Sequence, residues 1–415
     1  MNEIVKGRKW LGNVEITKDL ILLLLIGGLY SLSVAISNTF VNIYLWKQTG
    51  EFKDLGIYNL TVTIVQPLIF ILAGRWAKKI DRVIVLRLGV IFLSLFYLTV
   101  LIIGTNANQF LIVLGGLLGI GYGFYWLAFN ILTFEITEPE NRDFFNGFLG
   151  ILSSFGGMIG PILAGYIISR MENFTGYTLI FSFSLALFTC AVILSFFINR
   201  RSAKGKYYFV RIWKERKRNI NWRLITNAHI FQGLREGTFM FVISVYVFLS
   251  TGSEWALGKF GLINSAVSFI SYFLATRFIK RKDRKKAILI GGLLLYASIY
   301  LIVFNFTYLR LLAYAAVIAI AYPILLVPYV STTYDVIGHG WKAAEMRIEY
   351  IVVREVFLHI GRSISILLFL FSITFFSPKE SIPILLMFIG AGHSIIYFFI
   401  RKIHFQNERT KESLT

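Results

Sequence analysis

Apolar residues run almost unbroken for long stretches of this chain, and charged residues are confined mainly to the short segments between those stretches. A helix needs roughly 20 consecutive apolar residues to cross the hydrocarbon core of a bilayer. Twelve runs of that kind begin near Leu20, Leu55, Val83, Gln109, Phe144, Thr178, Leu224, Ala256, Ala287, Leu311, Ile348 and Ile382. The first follows Lys6, Arg8, Lys9 and Lys18 and so resembles a secretory leader. It extends from about Leu20 to Leu45, longer than the ~7–15 residues of a leader's apolar region, and no small-residue cleavage site follows. It is read as the first membrane helix, and the pattern predicts an all-α membrane protein with twelve transmembrane helices.

Composition agrees with that pattern. Hydrophobic residues make up 56% of the 415, charged residues only 15%, and the mean hydropathy is +0.69. A soluble domain could not cover its surface with so little charge, whereas lipid solvates apolar side chains directly. The 34 glycines suit close helix approach in a membrane. The net charge of +20 would point to nucleic acid in a soluble protein. Here the basic residues sit in alternate connections: Lys78, Lys79 and Arg82 in one, ten of them in Arg200–Arg223, seven in Arg277–Lys286, and Arg401, Lys402, Arg409 and Lys411 in the tail. Connections near Asn106, Glu172, Arg310 and Lys379 are nearly neutral. The positive-inside rule then predicts twelve crossings, both termini in the cytoplasm, and residence in the cell membrane. Cys190, the single cysteine, excludes an internal disulfide framework.

The two halves repeat each other. Ala73–Arg82 matches Ala275–Arg284 at an offset of 202, and Thr49-Gly50, Leu55-Gly56, Tyr58 and Leu60 match Thr251-Gly252, Leu257-Gly258, Phe260 and Leu262 at the same offset. Thr133–Ile136 matches Thr333–Val336 at an offset of 200. Matches in polar connections, in order and at near-constant spacing, indicate a parallel duplication. The expected domains are residues 1–199, a basic linker 200–223 and residues 224–415, two pseudo-symmetric six-helix bundles. The linker carries Tyr207, Tyr208, Phe209, Ile212 and Trp213 among its charges, which fits either a short amphipathic helix on the anionic leaflet or a solvated connector.

Charges inside membrane helices are costly and are usually functional or paired. The seventh run holds Gln232, Arg235 and Glu236 near mid-bilayer, and the eleventh holds Arg354, Glu355, His359 and Arg362. Spacings of i, i+4 and i+7 place Glu355, His359 and Arg362 on one helix face. Two readings remain open. In one, Glu236, Glu355 and His359 exchange protons while Arg235, Arg354 and Arg362 hold an anionic group. In the other, the set is an interhelical salt-bridge network with an architectural role alone. The first half offers uncharged candidates: Ser31, Asn38 and Asn42 along one face of the first run, and Tyr122, Trp126, Phe129 and Asn130 beside a Gly115-Gly119-Gly123 stripe on the fourth. An aromatic wall with a few polar anchors suits an amphipathic ligand, and plain packing is the alternative.

After the second run, Gly74 through Arg82 resembles the Gly-x-x-x-Asp-x-x-Gly-Arg-Lys signature of the major facilitator superfamily, with Lys78 where an acid is usual and Asp81 where the second Gly is usual. Gly156–Gly165, with Gly156, Gly160 and Pro161, is similar to the Gly-x-x-x-Gly-Pro-x-x-Gly-Gly motif of that family's proton-coupled exporters, and Pro139–Arg142 resembles its loop before the fifth helix. The resemblance covers essentially the whole chain and is strongest to poorly characterised bacterial members. It implies a cavity between the halves lined by helices 1, 4, 7 and 10, and alternating access by rocking. It also implies gating roles for the equivalent sets Arg82, Glu135 and Asp81 in one half and Arg284, Asp335 and Asp283 in the other.

Gly252–Phe260 superficially resembles a phosphate-binding loop but has one residue too many and lacks the Ser/Thr. No nucleophile motif appears, and the histidines lack metal-ligand spacing. The chain is therefore expected to be no enzyme, to need no cofactor or metal, and to work as a monomer in the bilayer. Its expected partners are a small-molecule substrate and protons, not nucleic acid. A scaffold that keeps the fold, and an intramembrane enzyme with its acids at headgroup depth, are the alternatives.

Overall fold

The first apolar run folds as α1 (Lys18–Thr49), started by Thr17, whose hydroxyl accepts from the Leu20 amide, and ended by Gly50 at a left-handed φ of 69°. This computed structural model describes residues 5–6, 15–136, 139–201, 205–305 and 307–404. The first half continues through α2 (Phe52–Lys79), α3 (Arg82–Ile103), α4 (Leu111–Ile136), α5 (Pro139–Arg170) and α6 (Thr175–Phe196). A short α7 (Phe209–Glu215) lies in the basic stretch. The second half comprises α8 (Ile220–Thr251), α9 (Glu254–Phe278), α10 (Arg284–Ala297) followed by α11 (Tyr300–Val303), α12 (Tyr308–Gly338), α13 (Arg347–Phe375), and α14 (Pro378–Gly390) followed by α15 (Gly392–Ile400). Val5–Lys6 and Glu15–Ile16 form a two-residue antiparallel pair ahead of the helices.

Eleven helical runs among the described residues are long and apolar enough to cross a membrane, and one of them, Arg82–Thr133, has 52 residues. At 1.5 Å per residue that is roughly 78 Å, more than twice a ~30 Å core. A 3-10 turn at Gly104–Phe110 divides it into α3 and α4, so the twelve expected crossings are present. Helices begin a few residues before the apolar runs do: α5 starts at Pro139, not near Phe144, because polar first-turn residues join the helix without being apolar. Likewise α8 starts at Ile220, inside the expected linker, with Asn219 accepting from the Trp222 amide. Arg8, Lys9, Arg409 and Lys411 lie outside the described residues, and of Pro139–Arg142 only the helical backbone is described.

The halves meet mainly along two helix pairs, α2 with α13 and α5 with α9. The α2–α13 seam runs from Gly56 against Leu370, through a Ser363–Thr63 hydroxyl contact of 3.4 Å, to Gly74 against Val352. The α5–α9 seam is tight only at the end away from the basic loops, where Gly165 lies against Glu254 and Gly258, and Gly258 against Pro161. Within the second half α8 and α13 approach backbone to backbone. A Cβ at Gly233 would sit 2.0 Å from the Leu358 carbonyl oxygen, and one at Gly361 would sit 1.9 Å from that of Ile230. Gly361→Val must therefore push these helices apart, at or above the ~1–3 kcal/mol of ordinary overpacking. The expected result is loss of the monodisperse peak in size-exclusion chromatography, with Gly150→Val, which meets nothing within 4 Å, as the unaffected control.

Candidate functional site

Two adjoining chambers lie between the halves. The first, about 540 Å³, is enclosed by α1, α5, α8, α9 and α12 and receives Arg235 and Glu236. The second, about 520 Å³, is enclosed by α1, α2, α4, α8, α12 and α13 and receives Arg354, Glu355 and Arg362. Asn38 and Met240 line both, so the chambers are two parts of one central space. Helices α2 and α13, beyond the four that the resemblance implies as lining, also supply walls of the second chamber.

Glu236 is midway along the 32 residues of α8 and organises the charges. One carboxylate oxygen accepts from Arg362 on α13 at 3.1 and 2.6 Å; the other accepts from Gln232 at 2.9 Å and from the Tyr322 hydroxyl on α12 at 3.0 Å. Four donors on three helices thus satisfy one buried carboxylate, the condition under which burial of an ion is tolerable. Glu355 pairs with its neighbour Arg354. His359, buried, donates from Nδ1 to the Glu355 carbonyl at 2.9 Å, so its Nε2 is left to accept from Arg362 at 3.3 Å. His359, Arg362 and Glu236 therefore form one continuous chain of polar side chains, tied at its far end to the Glu355 backbone carbonyl, with the Glu355 carboxylate 4.0 Å from His359 Nδ1. The i, i+4, i+7 spacing on α13 is what makes that chain possible.

Arg235 is different. It is 6% exposed, reaches the Tyr314 hydroxyl only at 3.5 Å, and lies over the Phe239 ring at 4.5 Å. Its Nε has no hydrogen-bond partner, and among the described residues no carboxylate pairs with it. Gln232, a candidate on the same run, donates to the Glu236 carboxylate.

The first-half candidates converge on the second chamber: Asn38, Asn42, Tyr122, Trp126 and Asn130 all line it. The Tyr122 hydroxyl donates to Asn38 at 3.2 Å, and Asn59 donates to Asn42 at 2.9 Å. These are also interhelical ties, worth on average about 0.6 kcal/mol each in a membrane. Trp126 is 38% exposed although it points inward, because the space beside it is open.

The motif residues divide by partner. Arg82 pairs with Glu135 at 2.6 Å and Arg284 with Asp335 at 2.7 Å, equivalent bridges that each join two helices of the same half. Asp81 caps α3 through the Val83 amide at 2.7 Å and meets Arg200 at 3.2 Å, while Asp283 stands at the start of α10 without a capping bond. Gly156 and Gly160 face α1, and Pro161 faces α9.

The bridges between halves use Lys78, noted in the sequence only as a departure from the signature, and partners that the sequence did not single out. At the basic-loop end Lys78 of α2 meets Glu349 of α13 at 2.5 Å and also donates to the Glu345 carbonyl at 2.9 Å. The linker seals this contact: the Tyr208 amide donates to Glu349 at 3.1 Å, and Tyr207 packs on Gly74. Burial, and then the Glu349 carboxylate, push the Tyr207 hydroxyl above its ordinary range, so it stays neutral there. At the opposite end Lys47 of α1 meets Glu254 of α9 at 2.9 Å, with Tyr177 donating to the same carboxylate at 2.8 Å. His393 was also missed. It sits where α14 gives way to α15, fully buried, with neither ring nitrogen hydrogen-bonded and Nε2 4.0 Å from Glu236. The available signal for Lys78 was its departure from the acid expected at that position, which calls for an acid across the seam.

Comparison with known proteins follows the same lines. The family model described as Major Facilitator Superfamily matches residues 23–344. The chain is 59% identical over 403 residues to a Bacillus subtilis (strain 168) protein named "Uncharacterized protein YqgE", covering 97% of this chain and 94% of that one. It is 58% identical over 201 residues to a Geobacillus stearothermophilus protein named "Uncharacterized protein in sodM 3'region", covering 48% of this chain and 94% of that one. In structure it resembles the crystal structure of the human organic anion transporter MFSD10 (TETRAN), with a TM-score of 0.67 over 92% of this chain and 98% of that one. At 13% identity the last likeness concerns the fold alone.

Proposed function

The chain belongs to the Major Facilitator Superfamily, and on that premise we propose that it is a proton-coupled secondary transporter moving a small organic solute by alternating access. The observation that carries this reading is a central space shared by both halves, holding a buried charge network, with a separate inter-half ion pair at each end. Two separate latches around one site are what rocking requires, since each must break while the other holds. The His359–Arg362–Glu236 chain, with Glu355 and His393 beside it, supplies groups through which proton binding and substrate binding influence each other. We place the basic loops and both termini in the cytoplasm of a cell-membrane protein, from the charge asymmetry. Export is the favoured direction, resting on the Gly156–Gly165 motif.

A scaffold that merely kept the fold would have a collapsed cavity, with Arg235 neutralised by a neighbour. The chambers and the unpaired Arg235 argue against it. An intramembrane enzyme would gather its acids at headgroup depth, whereas Glu236 is midway along its helix. The test is flux of a labelled metabolite and drug panel across proteoliposomes under an imposed pH gradient. At least one compound should accumulate with the gradient and cease to when it is collapsed by an ionophore. A panel in which every compound behaves as in protein-free liposomes counts against transport.

A further inference from the structure

We propose that the solute is an amphipathic organic monoanion, its head held by Arg235 in the first chamber and its apolar tail lying in the cleft between α5 and α9. This deepens the transporter reading above and rests on it.

The charge comes from a count and a pairing. The residues facing the two chambers include three arginines, Arg235, Arg354 and Arg362, and two carboxylates, Glu236 and Glu355. Each carboxylate is already engaged, Glu236 by Arg362 and Glu355 by Arg354. The surplus positive charge is thus located on Arg235, and a buried guanidinium without a counter-ion is unfavourable. Its fork of donors, of which only one reaches a hydroxyl and that at 3.5 Å, matches a carboxylate or similar oxyanion. A single surplus charge calls for a single negative charge on the ligand.

The apolar tail follows from the walls. Around Arg235 the first chamber is faced by Phe239, Met240, Phe260, Tyr272 and Tyr314, aromatic and thioether surface that a small hydrophilic anion would leave bare. Its volume of about 540 Å³ lies within the ~300–1,000 Å³ range of small-molecule sites. The chamber also continues sideways. Below Gly157 the α5–α9 seam parts into a cleft of about 590 Å³ that shares Gly157, Ser265, Ser268 and Tyr272 with the chamber. Ile151, Phe269 and Phe273 line that cleft and are 58%, 47% and 60% exposed, so it opens where lipid chains would lie. A polar head at Arg235 with a tail through this cleft fits both the charge and the shape.

The experiment is displacement of the fluorescent carboxylate dansylaminoundecanoate from the purified full-length protein in zwitterionic nanodiscs, with empty nanodiscs as background. Dodecanoate should displace it, with dodecanol and dodecyltrimethylammonium at least ~10-fold weaker and acetate without effect. Arg235→Gln should weaken probe binding by ~10-fold or more, and Arg235→Lys by less, with thermal melting to confirm that each variant is folded. Equal displacement by dodecanol and dodecanoate in the wild type, or no saturable probe binding, overturns the proposal without recourse to any variant. So does a folded Arg235→Gln that binds as the wild type does. The two readings also fail differently. Charge-selective binding with no movement of any panel compound across proteoliposomes would leave the anion site and remove the transporter. Proton-driven flux of another compound with no anion selectivity would do the reverse.

Discussion

Glu236→Gln is expected to abolish proton-driven flux and to destabilise the protein by about 3–5 kcal/mol, the range for removing one partner of a buried pair. The carboxylate accepts from Arg362 twice, from Gln232 and from Tyr322. An amide keeps the shape but has one acceptor oxygen in place of two, and it turns an NH₂ group toward donors. Arg362 then loses its counter-ion, and the central surplus of positive charge rises by one. Thermal melting of the purified variant measures the first effect and proteoliposome flux the second. The double variant Glu236→Gln/Arg362→Gln separates them. With both charges gone, stability should recover most of its loss, while gradient-driven flux stays absent. Flux restored together with stability would show that the network is architectural and that protons are handled elsewhere.

Lys78→Glu is expected to open the basic-loop end of the central space. It sets two carboxylates together where the wild type has a pair at 2.5 Å between a nearly buried lysine and a fully buried Glu349. Of the ~3–5 kcal/mol lost on breaking such a pair, about 1.4 kcal/mol expressed in the conformational equilibrium suffices for a tenfold shift. Asn130→Cys, on the wall of the second chamber, provides the probe in a Cys190→Ser background, where it is the sole cysteine. A membrane-impermeant maleimide applied from the basic-loop side should label this cysteine roughly tenfold faster in Lys78→Glu. The swap Lys78→Glu/Glu349→Lys should return labelling to its starting rate. If the swap labels as fast as the single variant, the linker contacts of Tyr207 and Tyr208, not the charge pair, hold this end closed.

Much of the architecture was legible beforehand because it is local. A crossing helix is announced by its own run of apolar residues, and the duplication by matches such as Arg82 and Glu135 against Arg284 and Asp335. The two bridges these residues make confirm the equivalence in three dimensions. Helix starts were less legible, since α5 begins at Pro139 among polar residues and α8 begins at Ile220 behind the Asn219 cap, which hydropathy does not mark. The candidate site was half legible. That Arg235, Glu236, Arg354, Glu355, His359 and Arg362 are costly in a membrane follows from their type and place in the runs, and so does the shared face on α13.

Pairing was a different matter. Arg235 and Glu236 are adjacent in sequence, yet successive residues on a helix point about 100° apart, and Glu236 turns to Arg362, 126 residues away. Lys78 finds Glu349 across 271 residues, and His393 lies beside the network where Gly392 lets its helix approach α8 closely. By itself, then, the sequence determined a duplicated twelve-helix membrane protein and the charges its interior must accommodate. Tertiary packing alone decided which arginine in the central space lacks a counter-ion, because an ion's free energy in a membrane depends on what surrounds it in space, and that is set by helices far apart along the chain.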